Sequence, residues 1–157
     1  MTTDHTAFLE LAVQEAVASV EVGGGPFGAV IVRAGAALAR GTNRVTLDND
    51  PTAHAEIVAI RGAAYALNTH RLTGCVLYCS CEPCPMCLGA VLWSHLDAVF
   101  YAADRHDAAA ADFDDARFYD ALTGSGGGLG LPLVQVPLAS RAAPFIAWQA
   151  KPDRIPY

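Results

Sequence analysis

At 157 residues the chain has the length of one domain and enough sequence to bury a substantial core. Hydrophobic residues make up 53% and charged residues 17%, which excludes a disordered chain and leaves apolar surface for a subunit contact. A net charge of −6 argues against a sequence-independent grip on nucleic acid, whose affinity comes largely from Lys and Arg neutralising phosphates.

Phe8, Leu9, Ala12, Val13, Ala16, Val17 and Val20 recur at three- and four-residue steps, predicting an amphipathic helix over residues 5–21 that stops at Gly23-Gly24-Gly25-Pro26. The apolar run 27–32, then Ala34-Gly35 and a more polar run 37–43, reads as a hairpin. Thr52 is placed to cap a helix over residues 53–67, with Ile57, Val58, Ile60, Ala64 and Leu67 among its apolar positions. Residues 75–79 form a buried strand by composition, Pro85 suits the first turn of a helix to about Ser94, and 98–102 gives the next strand. Strand, helix, strand in that order favours a parallel pair joined by a crossover. The glycines of 124–130 read as a loop, since a phosphate cradle would need a Gly-Lys-Ser/Thr that is absent after them. Residues 133–136 are expected to make a last strand and 145–150 a short helix. No apolar stretch reaches the roughly 18 residues of a membrane span, and Asp4 and Glu10 stand where a signal peptide would be basic. A soluble, cytoplasmic protein with no membrane partner is expected.

The five cysteines are odd in number and gathered between residues 75 and 87, which points to thiols and metal rather than to a disulfide framework. His54-Ala55-Glu56 and Pro83-Cys84-Pro85-Met86-Cys87 match the pattern H-x-E followed by P-C-x-x-C that marks zinc-dependent nucleobase deaminases. One imidazole and two thiolates are a three-ligand zinc set, and three protein ligands leave a fourth position for water, the arrangement of catalytic rather than structural zinc. Cys84 and Cys87 fall on one face of a helical turn, whose N-terminal N–H groups favour thiolates. His54 and Glu56 differ by about 200° on a regular helix, so both flank one metal only if it sits over the helix's first turn. Two helix N-termini would then point at one ion. In the bland alternative, Cys81 closes a structural zinc knuckle, which would leave Glu56 without a task. Cys75 and Cys79 read as small core residues, His5, His70, His95 and His106 as surface or lightly buried histidines. Met86 and Trp93 read first as core residues; Trp93 could instead wall in a planar substrate.

Beyond the zinc motif, Gly24-Gly25-Pro26-Phe27-Gly28, Asn49-Asp50-Pro51-Thr52-Ala53-His54, Phe100-Tyr101 and Phe113-Asp114-Asp115 occur in an order that resembles the bacterial guanine deaminases of the cytidine-deaminase-like superfamily. The resemblance runs through most of residues 8–120. It implies an α/β chain folded as a three-layer α/β/α sandwich with a five-stranded mixed sheet, a homodimer, and a single domain whose tail, residues 144–157, closes the active site. It also implies one Zn2+ per chain on His54, Cys84 and Cys87. Zinc hydroxide would attack the amine-bearing ring carbon of guanine, Glu56 shuttling protons to give xanthine and ammonia. By position, Asn43 would hydrogen-bond the base, and Phe27, Ala55 and Trp93 would line the pocket. Asp115 with Tyr157 would read the guanine edge or complete the proton path, Asp114 being the neighbouring acid. Guanosine, cytosine or an ammeline-type triazine are alternative substrates within the fold. A tRNA adenosine substrate is disfavoured by the charge.

Overall fold

The computed structural model describes residues 5–113, 115–123, 139–153 and 155. Helix α1 (His5–Glu21) leads into strands β1 (Gly25–Arg33) and β2 (Ala36–Asn43), with a single turn α2 (Val45–Asp48) and helix α3 (Ala55–Leu67) after them. Strand β3 (Cys75–Cys81), helix α4 (Pro85–Trp93) and strand β4 (Ala98–Ala103) come next. Two short helices, α5 (Arg105–Ala109) and α6 (Ala116–Thr123), precede a 3-10 turn and helix α7 (Ala143–Ala150). The expected helices at 5–21, 53–67 and 85–94, and the strands around them, are thus present with boundaries moved by about two residues. The last expected strand, 133–136, and the glycine loop 124–130 lie outside the described residues.

The sheet is mixed, in the order β2-β1-β3-β4. Arg33 pairs with Ala36, so Ala34 and Gly35 alone make the hairpin turn. Both have positive φ, 51° and 77°, as a tight type I′ connection requires. β1 runs antiparallel to β3, and β3 runs parallel to β4 with α4 as the crossover, as the strand-helix-strand order predicts. The described sheet has four strands rather than the expected five.

Period-two alternation sorts β1 and β3 onto two cores. Ala29, Ile31, Leu77 and Cys79 face one side, where Ala55, Ala59 and Ala63 of α3 and Val91 of α4 cover them. Val30, Val32 and Tyr78 face the other, under Ala12, Phe8 and Leu9 of α1. Helices on both faces give the three layers. Cys75 and Cys79 are buried core residues, as read from composition.

Two glycines set how closely the layers approach. A Cβ on Gly28 would lie 2.2 Å from the Ala12 carbonyl oxygen of α1. On Gly41 it would lie 2.1 Å from the Ala55 carbonyl oxygen and 2.6 Å from the Ala59 nitrogen of α3. Neither obstacle is a side chain that can swing aside. The first turn of α3, which carries His54 and Glu56, therefore rests directly on β2. Gly41→Ala must push that turn off the sheet, and overpacking of this kind costs about 1–3 kcal/mol. Chemical denaturation of the variant should show a loss in that range together with reduced retention of bound zinc on dialysis; unchanged stability would mean that α3 is free to shift.

Candidate metal centre and active site

The expected Thr52 cap does not form. Asp50 captures Thr52 first: its Oδ1 accepts from the Thr52 backbone N–H at 2.8 Å and from the Thr52 hydroxyl at 2.7 Å. The helix accordingly starts two residues later, with His54 in extended conformation at the N-cap and its carbonyl accepting from Val58 N–H at 3.0 Å. Glu56 then lies in the first turn. Cys84 occupies the equivalent N-cap of α4, with Pro85 next to it, and its carbonyl accepts from Leu88 N–H at 2.9 Å. Cys87 is in that helix's first turn. Both helix N-termini, each with first-turn N–H groups that have no partner inside the helix and a positive dipole end, meet at one point.

His54, Cys84 and Cys87 converge there, their ligand atoms all within 4.8 Å of one another. His54 Nδ1 lies 3.6 Å from Cys84 Sγ and 3.5 Å from Cys87 Sγ. In a tetrahedral site with Zn–S near 2.3 Å and Zn–N near 2.05 Å, the sulfur-to-nitrogen separation is about 3.55 Å. The donor set therefore fits zinc in both chemistry and spacing. Among the three side chains themselves, the Cys84 thiol is drawn down to about 4, first by the hydrogen bond from Cys87 and then by His54. Cys87, as donor in that pair and buried, is pushed up. His54 is raised, chiefly by Cys84. A divalent ion bound by these three side chains would hold both thiols as thiolates.

Cys81 stands apart. Its thiol donates to the Asp104 carbonyl at 3.5 Å, and burial pushes its pKa up to about 11. That is the setting of a protonated thiol, not of a fourth ligand.

The metal cluster opens onto a cavity of about 880 Å³, lined among others by Gly24, Gly25, Phe27, Asn43, Glu56, Met86, Phe113 and Asp115. Burial raises the Glu56 carboxyl, and the Cys84 charge adds to the effect. Asp115 is raised for the same two reasons. Its Oδ1 is shielded from solvent and has no hydrogen-bond partner among the described residues. Asn43 is buried and its amide is fixed, because Oδ1 accepts from Val45 N–H at 3.2 Å. With the oxygen so engaged, the amide nitrogen is left as the donor for a ligand. Two glycines at the start of β1 make room for it: a Cβ on Gly24 would lie 2.5 Å from the Asn43 carbonyl oxygen, and one on Gly25 2.9 Å from its Cγ. Phe27 meets Phe113 edge to face at 5.0 Å, forming an aromatic wall.

Two expected pocket residues are not among those that line this cavity. Ala55 is fully buried in the core against β2, and its carbonyl faces Gly41. Trp93 ends α4, roughly 13 Å along the axis from Cys84 at nine residues' rise, and is 65% exposed. Exposure also removes the core role expected for Trp93, and Met86, at 38% exposed, belongs to the cavity wall instead. Tyr157 and Asp114 lie outside the described residues. Sequence reasoning missed Phe113 and Glu82 as cavity-lining residues, although Phe113 sits inside a segment already singled out and Glu82 directly precedes the Pro83–Cys87 motif.

Residues 2–103 match the family model of the cytidine and deoxycytidylate deaminase zinc-binding region. The chain is 51% identical to guanine deaminase from Bacillus subtilis over 147 residues, which cover 93% of this chain and 94% of that protein. A crystal structure of guanine deaminase from Bacillus subtilis superposes with a TM-score of 0.93 at 49% identity, covering 98% of this chain and 99% of that one. Similarity to a tRNA-specific adenosine deaminase from Aquifex aeolicus, at 44% identity, extends over 96 residues, 61% of this chain and 64% of that protein. With the H-x-E and P-C-x-x-C ligands converging as that chemistry demands, the chain belongs to the zinc-binding cytidine and deoxycytidylate deaminase family.

Proposed function

We propose that this protein is a guanine deaminase, hydrolysing guanine to xanthine and ammonia with one zinc ion per chain held by His54, Cys84 and Cys87. The observation that carries the substrate is the reach of the similarity. The zinc region ends at residue 103, whereas the 147 residues aligned with guanine deaminase must include most of the chain beyond that point, where Phe113 and Asp115 close the cavity. Similarity to tRNA-specific adenosine deaminases covers 61% to 76% of the chain at 44% and 40% identity, against 93% at 51% identity for guanine deaminase, and the net charge of −6 opposes a polyanionic substrate.

Zinc supplies hydroxide at neutral pH by lowering the pKa of bound water to about 7. Glu56, held in the first turn of α3 and raised by burial, takes the proton that water gives up and delivers it to the ring nitrogen beside the reacting carbon. It then takes the remaining proton from the added hydroxyl and passes it to the departing amine, so that the new carbon–oxygen bond becomes a carbonyl, the carbon–nitrogen bond breaks and ammonia leaves. A carboxyl whose affinity for protons is raised suits a group that must both accept and return one. Asn43 donates to the base, Phe27 and Phe113 flank its plane, and Asp115 offers a second carboxyl to its edge.

Two readouts test this reading. Glu56→Gln keeps the shape of the side chain but carries no proton, so turnover of guanine should fall by roughly 10²–10⁴-fold while zinc content and folding persist. Near-normal turnover would remove Glu56 from the mechanism. We also infer a cytoplasmic homodimer. The free cysteines suit a reducing compartment, and Leu92 and Trp93, 76% and 65% exposed at the end of α4, make an apolar patch suited to a second subunit. Sedimentation at micromolar concentration should give about twice the 16.4 kDa chain mass, and a monomer would contradict the inference.

A further inference from the structure

We propose that Arg105 is a positioning residue that ties the zinc-ligand loop to the segment carrying Asp115, and so fixes the cavity wall against the metal centre; the proposal rests on the guanine deaminase reading. Arg105 opens α5, a helix that hydrophobic periodicity does not announce. Its backbone N–H donates to Glu82 Oε2 at 3.1 Å, its Nε to the same oxygen at 3.0 Å and its Nη2 to Glu82 Oε1 at 2.6 Å. Three contacts from one residue fix both the carboxylate and the guanidinium plane. Glu82 is two residues before Cys84. Its own N–H donates to the Ala103 carbonyl at 2.8 Å, which pins the loop to the end of β4.

The other face of the guanidinium is used as well. Its Cζ lies 3.7 Å from the centre of the Tyr119 ring, and the Tyr119 hydroxyl donates to the Pro83 carbonyl. Loop residues Glu82 and Pro83, Arg105 of α5 and Tyr119 of α6 thus close a ring of contacts one residue from the ligand Cys84. Residues 113–123 carry three cavity-lining side chains, Phe113, Asp115 and Phe118, yet no residue of α6 is buried. With so little core beneath α6, this segment takes its place against the site from the Phe27–Phe113 contact at its start and from the polar and cation–π contacts of Tyr119. A guanidinium that grips a carboxylate with its edge and an aromatic ring with its face cannot be replaced in both roles by an ammonium.

The test compares Arg105→Ala, Arg105→Lys and Tyr119→Phe with the unmodified protein, each measured for zinc content, amide hydrogen exchange and kinetics on guanine. In Arg105→Ala, zinc should stay at one per chain and the amides of 113–123 should exchange about tenfold faster. KM for guanine should rise about tenfold, with a smaller fall in kcat. Arg105→Lys should fall between, because it restores the charge without the fork. Tyr119→Phe keeps the stack and loses only the bond to Pro83, so it should shift both readouts in the same direction by less. A merely structural role would lower kcat in proportion to the folded fraction and leave KM unchanged, and that result would overturn the proposal. So would unchanged exchange across 113–123. If Arg105→Ala does not fold, Arg105→Lys and Tyr119→Phe are judged by the same two criteria. If the unmodified protein does not deaminate guanine, the functional reading falls, while the exchange data still decide the clamp.

Discussion

Everything at this site depends on the meeting of two helix starts above the carboxyl ends of the strands. The parallel pairing of β3 with β4 forces α4 to cross over one face, which places Cys84 at the helix start just beyond β3. Gly41 lets α3 lie on β2 with no side chain between them, which brings His54 to the same place. The ligands then come from two separate segments, and neither helix alone could hold an ion. Open α/β sheets bind their ligands at the carboxyl ends of strands for this reason: helix N-termini and loops gather there.

That geometry dictates the electrostatics. Two dipole ends, and a divalent ion when bound, would stabilise the thiolates, while the carboxyls on the cavity wall are pushed up by loss of solvent and by the negative charge of Cys84. Glu56 and Asp115 therefore hold protons more readily than exposed carboxyls do. Raised carboxyls beside a metal-activated water are what a reaction needs when it removes one proton and returns it elsewhere. Asn43 contributes in a different way. The Val45 N–H occupies its oxygen, so the polarity it presents to a ligand is decided by the protein before any base arrives.

Much of this was legible in the chain, and the illegible remainder has physical causes. Helical periodicity located α1 and α3, and ligand spacing located His54, Cys84 and Cys87, because both signals are local. Thr52 misled because Asp50, two residues earlier, competes for the same hydroxyl, so the start of α3 moved to His54. That error was small in sequence and favourable in consequence, since it put the ligand itself at the cap. Helix α5 did carry a readable signal: Asp104 and Asp107 form a reciprocal capping box. The pairing of Arg105 with Glu82 carried none, because the two lie 23 residues apart and nothing in either neighbourhood names the other. Trp93 shows the opposite failure. Its place on the ligand helix suggested the pocket, but the rise of that helix carries it away from the metal.

Catalysis of this kind requires an open metal site with two sulfur ligands and one nitrogen ligand, its fourth position left to water. X-ray absorption at the zinc edge on the purified protein measures this directly. An open site predicts two sulfurs at about 2.3 Å and two lighter atoms at about 2.0–2.1 Å. It also predicts that Cys81→Ser leaves that spectrum unchanged, since the Cys81 thiol is engaged with the Asp104 carbonyl. A third sulfur bound to the metal, lost in the Cys81→Ser protein, would show a closed site and contradict it.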